Sequence, residues 1–201
     1  MPPFHGFPRQ PHQLEAGNVI AAAELAGLLR ASPDAPAEAG SARLLEDIAG
    51  GPLTAGITVG PADGVTGEEL ALLQAADGAG LHRRSGRLHT ADGTPVARVS
   101  ELVVTGRLPG PARPLLGIDP DGALRPGRYS VQLGHALRGR GVRRQLLGVG
   151  LTPGRADDEG RRQALRLTTL LRAAGAEPLA LSEERVYEEF LAMSSLPWPA
   201  W

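Results

Sequence analysis

Two strand-forming runs on either side of an Asp-Gly pair constrain the fold of this chain more than any other feature of its sequence. The first run covers residues 81–90, the second covers residues 95–105, and the residues between them read A-D-G-T at 91–94. A glycine at position 93 tolerates the positive φ that a tight hairpin turn requires, and the second run is rich in valine. The sequence therefore predicts an antiparallel hairpin near the middle of the chain.

The residues before this hairpin favour helices, because apolar residues recur there at helical spacing. Predicted helices cover residues 14–31, 42–49 and 66–76, and a first strand covers residues 52–59. Thr66 is followed three residues later by Glu69, which is the capping-box pattern that marks a helix start. The third predicted helix therefore begins at Thr66.

The residues after the hairpin favour further strands. Residues 107–129 are rich in proline and glycine and predict a loop. Beyond the loop, the predicted elements are a short helix over 131–137, a strand over 144–151, a polar turn over 154–159, and a final hairpin that pairs 164–173 with 178–190. Helices followed by antiparallel hairpins are typical of an α+β fold, here a single antiparallel β-sheet with helices packed on one face.

The length of 201 residues suits one domain of ordinary size. Residues 1–13 are proline-rich and are predicted to be a disordered leader, residues 14–192 form the single domain, and residues 193–201 form a C-terminal tail. Trp198 and Trp201 lie in this tail, and the sequence leaves open whether they anchor it. The oligomeric state is also left open.

Composition excludes several classes of function. The net charge of −1 gives no general attraction to nucleic acid, so no nucleic-acid partner is expected. The absence of cysteine rules out disulfides and thiolate sites, and the five histidines lack metal-ligand spacing, so no metal or cofactor is expected. No apolar run is long enough to span a bilayer, and the leader has no signal-peptide core. The chain is therefore expected in the cytoplasm without a membrane partner.

Four segments resemble, in the same order, motifs of the chorismate–pyruvate lyase family. They are G-S-A-R-L-L-E at 40–46, the hairpin R-R-S-G-R-L-H-T-A-D-G-T-P-V-A-R-V-S-E-L-V-V-T-G-R-L-P at 83–109, Q-L-G-H-A-L-R-G-R-G-V-R-R at 132–144, and P-L-A-L-S-E-E-R-V-Y-E-E-F-L at 178–191. The resemblance implies a chorismate-lyase-like fold over about residues 14–192. The same fold resembles the effector-sensing domain of a class of bacterial transcription regulators. Those proteins carry an N-terminal winged helix-turn-helix, for which this chain has no room, so a one-chain repressor is not expected.

The resemblance implies that an arginine on the first strand of the central hairpin binds a substrate carboxylate. Arg84 holds the matching position, and a planar guanidinium can make two parallel bonds to a carboxylate. Arg83 is the alternative, because neighbouring strand residues face opposite sides of a sheet.

The resemblance also implies a glutamate beside the ligand, which Glu183 matches by following Ser182 on the last strand. The alternation of Leu179 and Leu181 with smaller residues places Glu183 on the buried face. A buried carboxylate has a raised pKa and can transfer protons. The neighbouring acids are expected to be exposed; they are Glu184, Glu188 and Glu189.

Backbone groups complete the expected site. Ser41 and Leu133 match positions whose main-chain N–H groups meet the ligand in the family, and Gly134 would allow a close approach. His135 stands where the family has arginine. It is interpreted as a substitute hydrogen-bond donor, as a mark of a different substrate, or as a structural histidine.

These expectations define a cofactor-independent carbon–oxygen lyase in biosynthesis, which eliminates pyruvate from chorismate to give 4-hydroxybenzoate. In this hypothesis Arg84 holds the small-molecule carboxylate substrate and Glu183 transfers the proton. The first alternative is an enzyme of the same fold that performs a cyclisation or elimination in secondary metabolism. The second alternative is a non-catalytic domain that binds a small aromatic acid.

Overall fold

The computed structural model describes residues 11–31, 33–37, 41–76, 80–125, 127–173 and 177–193. The helices in these ranges are α1 (Pro11–Ala31), α2 (Ser41–Ala49), α3 (Gly67–Leu73), α4 (Leu133–Ala136) and α5 (Glu188–Met193). The strands are β1 (Asp34–Pro36), β2 (Thr54–Pro61), β3 (Leu81–His89), β4 (Pro95–Val104), β5 (Arg128–Tyr129), β6 (Val142–Ala156), β7 (Arg162–Ala173) and β8 (Pro178–Tyr187).

The strands form one sheet in the order β1-β6-β7-β8-β4-β3-β2-β5, and every neighbouring pair is antiparallel. The predicted fold class is therefore confirmed: the chain is α+β with a single antiparallel sheet, and its architecture fits the chorismate-lyase-like fold. Of the predicted leader, residues 11–13 belong to α1 and residues 1–10 lie outside the described residues, as do residues 194–201 of the tail with Trp198 and Trp201.

Four of the helices pack on one face of the sheet. Leu25 of α1 and Leu45 of α2 share a buried apolar cluster with Val99 of β4 and Leu167 of β7, and α5 joins the same cluster. The short helix α4 contributes Leu133 to a second cluster over the other end of this face. Burial of these side chains stabilises the domain by about 25 cal/mol for each Å² of apolar surface removed from water.

The helix α3 packs on the opposite face, which is a difference from the predicted one-sided arrangement. Leu73 of α3 lies in a small cluster with Leu102, Leu170 and Leu181 of the sheet. Thr66 caps this helix, and both bonds of the predicted capping box are present. Beyond this cluster the face becomes polar.

The central hairpin fixes which residues of β3 and β4 meet. Its turn closes through a 2.9 Å bond from the N–H of Thr90 to the carbonyl of Thr94, and Gly93 has a φ of 89°. An irregularity between Leu88 and His89 shifts the pairing by one residue, so Arg84 lies directly opposite Glu101 rather than opposite Ser100. Residues that lie directly opposite each other share a face of the sheet, so the hairpin brings these two charges together.

Several element boundaries differ from the prediction, most clearly at the C-terminal ends of β6 and β8. The turn between β6 and β7 lies at 157–160 rather than at 154–159, because the Asp157 carboxylate accepts bonds from the N–H groups of Glu159 and Arg161. The last strand ends at Tyr187 rather than at 190, and Glu188 begins α5. No helix in the described part of the chain is both long and apolar enough to cross a membrane.

Candidate functional site

A chamber lies between the sheet and the helices α2 and α4. Its volume is about 40 Å³, which is enough for a few water molecules. Its polar lining residues are Ser41, Glu101, Gln132, Arg144, Thr169, Ser182 and Glu184. The remaining wall is largely apolar, so these groups face each other in a setting of low dielectric constant.

A buried ion pair forms one side of the chamber. Arg84 is fully buried and donates from Nη1 to Oε2 of Glu101, while its Nη2 donates to the carbonyl of Val131 at 2.8 Å. Burial raises the pKa of the Glu101 carboxyl, and the Arg84 guanidinium and the N–H of Leu133 oppose that rise. Arg84 is therefore already engaged with a carboxylate of its own chain.

A second carboxyl group reaches the chamber from β8. The Ser41 hydroxyl donates to Oε1 of Glu184 at 2.6 Å, while the buried Oε2 has no hydrogen-bond partner among the described residues. Burial raises the pKa of Glu184, the Ser41 bond lowers it, the Glu101 charge raises it further, and Arg144 lowers it. The guanidinium of Arg144 is itself buried, which lowers its pKa.

Gln132 adds a hydrogen-bond donor to the chamber. It lies at the N-cap of α4, only 7% of its surface is exposed, and its Nε2 has no hydrogen-bond partner in the described part of the chain. A buried polar group without a partner costs about 1–3 kcal/mol. The Gln132 amide and Oε2 of Glu184 therefore favour a molecule that bonds to them inside the chamber.

Glu183 does not join the chamber, although the sequence placed it there beside Arg84. It lies on the opposite face of the sheet, where Oε2 accepts from Nε of Arg166 at 2.7 Å and Oε1 accepts from Nε of Arg185 at 2.6 Å. Arg83 lies on that face too, 3.2 Å from Glu69 of α3. The predicted convergence of Arg84 and Glu183 is therefore not observed.

The first residues of β8 explain why the sequence pointed to the wrong glutamate. Residues 178–182 are all buried, because helices cover both faces of the sheet at this point. The alternation of leucines thus does not identify one buried face. Ser182 and Glu184 lie on the chamber face, so the expectation that Glu184 is a solvent-exposed acid is wrong.

The predicted backbone positions lie close to the chamber. Ser41, Leu133 and Gly134 line it, although Ser41 contributes its hydroxyl and the N–H of Leu133 is directed to Glu101. His135 does not belong to this lining, and its Nε2 lies 4.0 Å from Oε1 of Glu46 on α2. The functional roles given to these residues stay predictions.

Sequence reasoning missed Glu101, Gln132, Arg144 and Glu184. The turn alone could not have identified Glu101, because its register would place Ser100 opposite Arg84 and the irregularity between Leu88 and His89 shifts the pairing by one residue. Nothing in the local sequence distinguishes the other three from exposed polar residues. Within the described residues, no group of three or more His, Asp or Glu side chains is arranged to hold a metal ion.

Comparisons with known proteins show a likeness of structure only. No family model matches the chain, and no curated protein matches it. The chain is similar to the possible transcriptional regulator YydK from Bacillus subtilis (13% identity, 73% of this chain and 60% of that chain, TM-score 0.47). It is also similar to PhnF from Mycobacterium smegmatis (16%, 68% and 60%, TM-score 0.44) and to a GntR-family transcriptional regulator from Enterococcus faecalis (12%, 66% and 85%, TM-score 0.36).

The chain spans 60% of the length of the first two of these structures. At this level of similarity the likeness does not assign a function to the chain.

The prediction of a chorismate lyase is wrong. Arg84 is held by Glu101, and Glu183 lies across the sheet from it, so the two charges that the proposed elimination requires do not meet. The broader prediction of a carbon–oxygen lyase is wrong for the same reason. The exclusion of a nucleic-acid partner is also withdrawn, because it rested on the net charge alone.

Proposed function

We propose that this domain binds a small organic molecule in the chamber without transforming it, and so acts as a ligand-sensing domain. The observation that carries the proposal is a pair of buried polar groups that have no hydrogen-bond partner among the described residues. They are Nε2 of Gln132 and Oε2 of Glu184, and both residues line one chamber. Both are satisfied when a ligand accepts a bond from the amide and donates one to the carboxyl group.

The apolar wall narrows the class of ligand. Ile57, Leu88 and Val99 line the chamber beside the polar groups, and small-molecule sites of this kind combine apolar walls with a few polar contacts. A small aromatic acid fits this chemistry. In 4-hydroxybenzoate, the carboxylate accepts from Gln132 and the phenol donates to Glu184.

Ligand entry requires the chamber to widen, because about 40 Å³ is smaller than an aromatic ring. The helix α2 is the element that moves in this proposal. It is tied to β8 by the Ser41–Glu184 bond at its first residue and is followed by Gly50, whose φ is 71°. A ligand that donates to the free Oε2 needs more space than the closed chamber offers, so its entry strains the Ser41 bond to Oε1 and changes the position of α2.

This movement of α2 makes ligand occupancy detectable at the surface of the domain. In the proposal, a partner domain or protein in the cytoplasm recognises the position of α2. No bond of the ligand needs to break, which agrees with the separation of Arg84 from Glu183.

Thermal unfolding with 4-hydroxybenzoate tests the proposal. At a hundredfold excess over the dissociation constant, binding stabilises the folded state by about 2.7 kcal/mol. We expect a rise in melting temperature of about 5–10 °C, and no pyruvate when the protein is incubated with chorismate. Release of pyruvate would contradict a non-catalytic role, and no shift at millimolar 4-hydroxybenzoate would contradict the aromatic-acid assignment.

A further inference from the structure

Four arginines form a row across the face of the sheet opposite the chamber. The strand register pairs Arg87 of β3 with Arg98 of β4, Arg98 with Arg185 of β8, and Arg185 with Arg166 of β7. We call these four residues the arginine row. Neighbouring strands lie about 4.8 Å apart, so each of these side chains starts beside a like charge on the next strand.

The arginine row is unfavourable for the fold by itself. Like charges directly opposite each other in a sheet are destabilising, and here three such pairs follow one another. Natural proteins break local rules of this kind mainly at functional sites. A bound ligand that brings negative charge would relieve the repulsion.

Acids of the chain offset only part of the charge. The arginine row carries four positive charges, and its ion-pair partners carry three negative charges; they are Asp158, Glu159 and Glu183. Glu183 is shared, because it accepts from Nε of Arg166 at 2.7 Å and from Nε of Arg185 at 2.6 Å. Asp158 accepts from Nη1 of Arg98 at 3.0 Å, but its side chain is 87% exposed. Exposed ion pairs contribute little to stability, so a ligand anion can replace Asp158 easily.

A groove lies over the arginine row. Its volume is about 660 Å³, which is within the range of small-molecule sites. Arg98, Arg185 and Arg166 line the groove, and Ser100 and Thr168 line it beside them. Guanidinium and hydroxyl groups both donate hydrogen bonds to phosphate oxygens.

The groove also has an apolar part next to α3. Leu72, Leu102 and Leu181 belong to its lining, and the described lining includes no aromatic side chain. Proteins that bind single-stranded nucleic acids stack the bases on aromatic side chains. The groove therefore favours a small molecule that combines an anionic group with an organic part.

We propose that this groove is a second binding site, which takes an organic diphosphate. The three arginines that line it span about 10 Å, so one phosphate group contacts two of them and a second phosphate reaches the third. The organic part of the ligand lies against the leucines. The groove and the chamber lie on opposite faces of the sheet, so one proposal can fail without the other.

Calorimetric titration with pyrophosphate and with inorganic phosphate tests the class of ligand. At low ionic strength, where exposed charges are screened least, we expect pyrophosphate to bind at least about tenfold more tightly than phosphate. Equal affinities for the two anions, or no binding of millimolar pyrophosphate, would overturn the proposal.

Arg185→Gln tests the arginine row, because Arg185 lies between Arg98 and Arg166. We expect the affinity for pyrophosphate to fall by at least about tenfold. Without ligand, the variant should be at least as stable as the wild type in urea denaturation, since two repulsive pairs are removed. A variant that is less stable and still binds pyrophosphate like the wild type would show a purely structural role and overturn the proposal.

Arg43→Gln is the matched control for this loss. Arg43 is an arginine with a 65% exposed side chain, and it pairs with Asp47 on α2, outside the groove. This control should bind pyrophosphate like the wild type. Equal losses of affinity in Arg43→Gln and Arg185→Gln would reveal a general effect of net charge and overturn the proposal.

Asp158→Asn tests the same site in the opposite direction. The change removes the acid that competes with a ligand for Arg98, so the affinity for pyrophosphate should rise by about threefold. Asp47→Asn changes the net charge equally but frees an arginine outside the groove, and it should leave the affinity unchanged. If Asp158→Asn bound pyrophosphate no better than Asp47→Asn, the arginine row would not be the binding site.

Discussion

The hydroxyl of Ser41 donates a 2.6 Å hydrogen bond to Oε1 of Glu184, and so joins two residues that are 143 positions apart. The bond connects the first residue of α2 to the middle of β8, at the wall of the chamber. The other oxygen of Glu184 has no hydrogen-bond partner in the described residues. One side chain thus holds the helix and offers a ligand its second oxygen.

Ser41→Ala should loosen α2. The change leaves a second buried oxygen of Glu184 unpaired, so we expect the free energy of unfolding to fall by about 1–3 kcal/mol in urea denaturation. Because the Ser41 bond no longer holds α2 against the widening that ligand entry requires, affinity for 4-hydroxybenzoate should rise. Ser100→Ala on the opposite face is the control and should leave affinity unchanged. Weaker binding by Ser41→Ala would contradict the role of this bond in holding the chamber closed.

Arg84 and Glu101 are predicted to act as a structural pair. Removing one partner leaves a buried charge uncompensated, so Arg84→Met should lower the free energy of unfolding by about 3–5 kcal/mol. The double variant Arg84→Met/Glu101→Leu removes both charges and should recover most of that loss. Chemical denaturation of the single and the double variant measures these free energies of unfolding. A single variant as stable as the wild type would show that the pair contributes nothing to the fold.

The pH dependence of stability should report on Glu184. Burial raises its pKa above the ordinary value of 4.5, so the folded state holds its proton more tightly than the unfolded state does. The stability linked to this proton is fully present below pH 4.5 and is lost as the pH rises through the raised pKa. Relative to the wild type, Glu184→Gln should therefore gain stability over that interval. If the free energies of unfolding of the two proteins differed by a constant amount from pH 4 to about pH 8, this prediction about Glu184 would be contradicted.

The sequence was sufficient for those parts of the fold that are set by local chemistry. The Asp92-Gly93 turn fixed the central hairpin, and Thr66 with Glu69 fixed the start of α3. The side of the sheet on which each β8 residue lies was not predictable. Both faces of β8 are buried near Leu181, so buried and exposed residues do not alternate there.

The site was harder to predict than the fold, because it depends on contacts between distant segments. The sequence points to Arg84 as a site residue, but it does not identify Glu101 as its partner. That pairing follows only from the observed register of the hairpin. The bond between Ser41 and Glu184 depends on how α2 packs on the sheet, which no local pattern records.

Calorimetric titration of Glu184→Gln and Glu183→Gln with 4-hydroxybenzoate tests the central claim most directly. The two glutamates are neighbours on one strand and face opposite sides of the sheet, so the variants match in chemistry and differ in location. We predict that Glu184→Gln weakens binding by about tenfold, because the ligand then bonds to a neutral amide instead of a carboxyl group. We predict that Glu183→Gln binds the ligand like the wild type. Equal losses in both variants, or a loss confined to Glu183→Gln, would contradict a ligand site in the chamber.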